Sequence, residues 1–157
     1  MRKLALVVTA LLLSATAACS DGSSTGKADA GTSAAPAAGA VRLELADSSL
    51  GKILVDQNGR TLYAFAKDKP GQSTCEGECI ATWPALLAHE SPQLGPGLEA
   101  KLLAKVERTE GATQVSYGEW PLYYYAADVD PGDVSGQDVD GVWFVVDAAG
   151  KLIKTTS

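Results

Sequence analysis

The chain has 157 residues, 46% hydrophobic, 20% charged and 6% aromatic, with a formal net charge of −6, a length that fits one domain of ordinary size. One His, one Met and three Cys leave too few ligands for a zinc site built from several His and Cys or a two-His copper centre, and no C-x-x-C-H haem attachment is present. The acidic balance, with no basic stretch beyond Arg2 and Lys3, weighs against nucleic-acid binding.

The first segment, residues 1–18, has the parts of an export signal. Met1, Arg2 and Lys3 form a positive end, Leu4 to Leu13 an apolar core, and Ser14 to Ala18 a run of small residues before Cys19. The apolar run is too short to span about 30 Å of hydrocarbon at about 1.5 Å per residue. The small residues ending in Cys19 resemble the bacterial lipobox, with Thr16 where a Leu is usual. That resemblance implies that Cys19 is lipidated and becomes the mature N-terminus. Residues 19–40 then read as anchor and tether. In positions 20–40 there are seven Ala, four Ser, four Gly, two Thr and one Pro, and no large apolar side chain to offset the entropy of ordering. Such a chain spans about 25 Å root-mean-square.

Residues 41–157 are the expected folded domain. Without Arg2 and Lys3 the chain keeps 11 basic and 19 acidic residues, a net charge of −8. Val41 to Leu45 alternates apolar and polar, as a half-buried strand does. Lys52–Asp56 and Arg60–Phe65 flank Gln57-Asn58-Gly59, a hairpin signal. Thr113–Tyr117 and Pro121–Tyr125 flank Gly118-Glu119-Trp120, and Val142–Val146 and Lys151–Lys154 flank Ala148-Ala149-Gly150. The spacing predicts one short helix near Leu98–Leu103.

The two halves repeat at an offset of 60. Leu62-Tyr63-Ala64-Phe65 aligns with Leu122-Tyr123-Tyr124-Tyr125, Asp68 with Asp128, Trp83 with Trp143 and Val55 with Val115. Period-2 alternation puts Tyr63 and Phe65 on one face and likewise Tyr123 and Tyr125, with Leu62, Leu122 and Tyr124 opposite. The expectation is an all-β fold, one domain of two pseudo-equivalent hairpin-rich repeats, about 50–88 and 110–150, with at most one short helix.

Tyr63-x-Phe65-x-x-Asp68 and Tyr123-x-Tyr125-x-x-Asp128 resemble the Y-x-[FWY]-x-x-D signature of bacterial secreted-repeat lipoproteins. Members of that family pair a lipobox and tether with two motif units. The first typically carries a Cys pair before Trp-Pro, here Cys75, Cys79 and Trp83-Pro84. The second carries a Gly- and Asp-rich stretch before Trp-Phe, here Asp133, Gly136, Gln137 and Trp143-Phe144. The resemblance implies no assigned activity.

Several groups are candidates for chemistry. Asp68 and Asp128 follow strands, where a carboxylate braces a turn or joins a ligand site shared by the repeats. Asp128, Asp130 and Asp133, with Asp138 and Asp140, form an acidic loop that invites calcium but does not fit an EF-hand, since Gly132 and Val139 stand where ligands are needed. Export makes a disulfide between Cys75 and Cys79 the default, and Glu76 and Glu78 disfavour a reactive thiolate there. Thiol exchange, or copper binding with the lone His89, is the alternative. No nucleophile elbow is present, and His89-Glu90-Ser91 are adjacent residues that cannot converge as a triad. The motif residues Tyr63, Phe65, Asp68, Trp83, Tyr123, Tyr125, Asp128 and Trp143 are the candidate ligand-binding set. The expected protein is therefore a non-enzymatic domain without a cofactor, anchored by lipid on the outer face of the bacterial membrane. It would present a surface to an envelope protein or small ligand. The other reading is a thiol-redox or copper- or calcium-handling protein.

Overall fold

The computed structural model describes residues 40–155, so the expected signal, Cys19 and all of the tether but its last residue lie outside the described residues. β1 (Arg42–Ser48) and β2 (Gly51–Asp56) form a hairpin pairing Leu43 with Asp56 through Ser48 with Gly51, and β4 (Gln93–Leu94) adds to β1 in parallel. β5 (Leu103–Glu107), β6 (Thr113–Tyr117) and β7 (Trp120–Pro121) form an antiparallel sheet. β3 (Tyr63–Phe65) pairs antiparallel with β8 (Trp143–Val145), matching Tyr63 to Val145 and Phe65 to Trp143.

This last pairing joins the repeats. The strand after Trp143 lies against the first motif, and symmetrically Ala85, after Trp83, bridges to Tyr123 of the second. Leu54 N–H donates to Val146 O (2.9 Å), as Val115 N–H does to Leu86 O (2.8 Å). Each repeat thus lends its last strand to the other. At the centre, Tyr63 and Tyr123 exchange both backbone hydrogen bonds (2.8 and 2.9 Å).

Two cores lie on the two faces of the motif strands, as alternation requires. One contains Leu43, Leu54, Leu62, Ala64, Val115 and Leu122, with Tyr124 against it. The other contains Ile53, Val55, Tyr63, Trp83, Tyr123, Trp143 and Val145.

The all-β, two-repeat expectation holds, with differences in detail, among them the strand expected at Pro121–Tyr125, of which only Pro121 lies in a named strand, β7. Leu98–Leu103 is not an α-helix. A single 3₁₀ turn spans Ala100–Leu102, and Leu103 begins β5, because five residues of pairing with β6 outweigh the helical propensity of Leu-Ala-Lys. The α-helix among the described residues is α1 (Glu78–Thr82), which begins inside the loop that the Cys pair closes. Finally, Val115 is matched by Leu54 and not by Val55. Leu62 N–H donates to Leu54 O as Leu122 N–H does to Val115 O. The Gln57-Asn58-Gly59 turn holds one residue more than its counterpart, so the offset is 61 before the turn and 60 after it.

Candidate functional site

The motif can be rebuilt from its side chains. The Tyr63 hydroxyl donates to Asp128 Oδ2 and the Tyr123 hydroxyl to Asp68 Oδ2, both at 2.6 Å. The motif Tyr of each repeat therefore reaches the motif Asp of the other. Both carboxylates are nearly buried, 7% exposed for Asp68 and 6% for Asp128, and the second oxygen of each braces its own loop. Asp68 Oδ1 accepts from Thr74 N–H and Oγ1, and Asp128 Oδ1 from Ser135 N–H. Each carboxylate thus braces its own turn and holds the Tyr hydroxyl of the other repeat.

Burial, reinforced by the facing Asp128 carboxylate, pushes the Tyr63 hydroxyl far above the usual tyrosine range. Tyr123 is raised in the same way by burial and Asp68. The Tyr63 oxygen also accepts from Gly136 N–H (3.2 Å). A Cβ on Gly136 would sit 2.8 Å from Tyr63 Cζ and 2.9 Å from Trp83 Cη2, so only glycine fits between these rings.

The aromatic position of the motif has an equally crossed role. Phe65 stacks on Trp143 (centroids 4.4 Å apart), Trp143 on Trp83 (3.8 Å, planes 4° apart) and Trp83 on Tyr125 (4.4 Å). The result is a column of four rings drawn alternately from the two repeats. Tyr63 meets Trp83 edge-on, and Tyr123 meets Trp143 likewise. Each such pair contributes about 0.5–1.5 kcal/mol beyond the area it buries.

Along the side of this column runs an open groove of about 380 Å³. Its floor is Phe65, Trp143, Trp83 and Tyr125, and its walls are α1 on one side and the turn at Val139–Gly141 on the other. The two tryptophans are only 3–4% exposed, while the end rings Phe65 and Tyr125 are half-buried. Lys67, Glu78 and Asp140 bring charge to the groove. Asp138 and Asp140 both have left-handed backbone (φ 60° and 54°), a conformation that Asp tolerates better than most residues and that shapes this wall.

Cys75 and Cys79 form a disulfide with Cα atoms 5.3 Å apart. Cys75 is fully buried and Cys79 faces the groove. The Cys75 carbonyl accepts from Arg108 Nη2 (2.9 Å), and Arg108 Nη1 donates to Ser73 Oγ and Gln114 Oε1, both 2.8 Å. Ser73 Oγ is in turn 2.7 Å from the Tyr123 hydroxyl. Arg108, Ser73 and Thr74 carry no motif signal, and a lone Arg beside a strand gives the sequence reader nothing to act on.

In the acidic loop, Asp133 Oδ2 accepts from Val129 and Asp130 N–H, and Asp128 is engaged as above. Asp133 and Asp128 therefore face their own loop and Tyr63, not a common point shared with Asp130. Among the described residues no three His, Cys, Asp or Glu side chains gather as metal ligands would. His89 is exposed in a bend. Tyr124, on the opposite face as alternation requires, donates to Asp56 Oδ2 (3.0 Å) under the Arg60 guanidinium, and burial raises its hydroxyl too. Gln137 ties β8 to the C-terminal segment, donating to Ile153 O and Thr155 O and accepting from Val145 N–H.

A family model described as a secreted repeat of unknown function matches residues 44–87 and again 104–147. The chain belongs to this family. The two matched stretches start 60 residues apart, the offset of the motif itself. No curated protein and no solved structure matches the chain. In this secreted repeat the geometry that the two units share is the crossed Tyr–Asp pair and the ring column. Among the described residues no helix is long and apolar enough to cross a membrane.

Proposed function

We propose that this secreted repeat is a lipid-anchored lipoprotein of the cell envelope, held to the membrane through Cys19. Its folded domain presents the groove beside the ring column to an envelope partner or ligand and carries out no chemistry on it. The observation that carries this reading is the groove itself. The half-buried end rings Phe65 and Tyr125 and the turn residues Val139 and Val142 offer apolar surface over the buried tryptophans, with charges at the edge, the mixture expected of a binding surface. The deep burial of Cys75 and the Arg108 clamp on its carbonyl support a bracing role for the disulfide over thiol exchange.

Two measurements test the reading separately. Cys19→Ala should move the protein from the membrane to the soluble fraction; a protein that stays membrane-bound sinks the anchor. A photo-crosslinking residue at Val142, in the groove, should give a discrete adduct in intact cells, while one at Asp47, on the far hairpin, should not. Equal labelling at both positions, or none at Val142, rules the groove out as the contact surface.

A further inference from the structure

The pseudo-twofold makes each end of the ring column a comparison for the other. Beyond Phe65 the chain turns through Ala66 and Lys67, with Asp68 N–H donating to Phe65 O (2.9 Å). Beyond Tyr125 it makes the same turn through Ala126 and Ala127, with Asp128 N–H donating to Tyr125 O (3.2 Å). At the first end Lys67 Nζ stands over the Phe65 ring, 5.9 Å from its centroid. At the second end the matching position is Ala127, and no Lys or Arg among the described residues lies over Tyr125.

The walls match as well. Ala66 N–H donates to Val142 O (2.8 Å), holding the turn that carries Asp140 beside the Phe65 end. Ala126 N–H donates to Thr82 O (2.9 Å), holding the last residue of α1 beside the Tyr125 end, while Glu78 begins that helix. Glu78 and Asp140 both line the groove, and neither has an ion-pair partner among the described residues. The Phe65 end is thus an aromatic ring with its cation and a carboxylate. The Tyr125 end is a ring with the cation missing, in a groove that Glu78 also lines.

We infer that the Tyr125 end of the groove receives a lysine or arginine side chain from an extended segment of a partner protein, taking the place that Lys67 holds at Phe65. The inference rests on the groove reading above and names the chemistry of the partner. A ring face in a groove lined by two carboxylates without ion-pair partners favours a cation, and the acidic surface steers one in. An open groove cannot enclose a small molecule on all sides, so the rest of the affinity must come from chain lying along Thr82, Val139 and Val142.

The test uses the whole domain and two peptides, a decapeptide of Gly and Ser bearing two lysines and the same peptide with both lysines acetylated, followed through the Trp83 indole N–H and Tyr125 ring signals by NMR. The lysine peptide should shift both sets of signals and the acetylated one should not. Ala127→Lys, at an exposed position, should fill the site from within and weaken the peptide about five- to tenfold, the range of one such contact. Lys67→Ala should open a second site and bring the Phe65 ring signals into the titration. Equal shifts from both peptides, no shift from either, or binding untouched by Ala127→Lys overturns the inference. Choline alone shifting the signals as strongly at equal concentration overturns the protein source. If Val142 crosslinks in cells while the lysine peptide fails, the cation is wrong and the groove stands.

Discussion

At the scale of single residues, the motif is a device for fastening one repeat to the other. A Tyr hydroxyl buried against a carboxylate replaces its water by a charge-assisted hydrogen bond, and losing it strands the carboxylate oxygen, at about 1.5–3 kcal/mol. Tyr63→Phe should cost that much in urea unfolding. Because the bonds cross, it should couple with Asp128→Asn and add with Asp68→Asn to within about 0.5 kcal/mol. The reverse pattern would mean that each Tyr serves its own repeat. The raised Tyr63 and Tyr123 hydroxyls also set a pH dependence. Above about pH 10 the unfolded chain releases these protons while the folded one keeps them, so stability is whole below that pH and falls above it. The loss approaches about 1.4 kcal/mol per pH unit for each Tyr. Tyr124 is raised likewise, so with Tyr63 and Tyr123 replaced by Phe the alkaline slope should fall to about a third, and an unchanged slope would assign it to other groups. Alternation alone told which face Tyr63, Phe65, Tyr123, Tyr125 and Tyr124 occupy. It could not tell that the acceptor of Tyr63 is Asp128, because a face is a local property and a partner 65 residues away is not.

At the scale of elements, the hairpins were legible because turn chemistry is local. Asn58-Gly59 lies in the turn after β2, where Gly59 has φ 78°. Gly118 and Gly150 mark two further turns that touch, a Cβ on Gly118 falling 2.8 Å from Gly150 O. The strand expected at Pro121–Tyr125 is the instructive failure. Leu122 N–H bonds to β6, Tyr123 to Tyr63 and Tyr124 to Pro84, so successive residues serve different partners and no single ladder forms. α1 escaped notice because a five-residue helix has too short a period to read, and its support comes from the disulfide across its first turn. Closing so short a loop is worth about 2 kcal/mol by chain entropy. Replacing both Cys75 and Cys79 by Ser should lower the melting temperature accordingly. It should also loosen the Glu78 wall, seen as faster amide exchange over 78–82, while the β3–β8 pair keeps its protection. Equal loss across the sheet would make the disulfide a core element instead of a local brace.

At the scale of the molecule, the exchange of strands decides how the domain holds together. Residues 84–88 belong by sequence to the first repeat but bond to Leu122, Tyr124 and β6 of the second, while Val145 and Val146 return the favour to Tyr63 and Leu54. The ring column alternates between repeats at every step. Each half carries strand pairing of its own, β1–β2 or β5–β6–β7, but neither owns the β3–β8 pair or a complete core, so the halves must fold as one cooperative unit. A protease site engineered at the exposed Glu90-Ser91 bend gives a direct test. The cut removes only chain connectivity, since the crossed hydrogen bonds, the β3–β8 pair and the ring stack all lie outside it. The nicked protein should run as one particle in size exclusion at micromolar concentration and melt in a single transition that now depends on concentration. Two separating fragments, or two melting steps, would show that each repeat completes its own core and that the motif only joins finished units. One bound particle would explain why the motif needs its Tyr, its second aromatic ring and its Asp together. Each makes a contact that the other repeat completes, and the groove exists only where the two are joined.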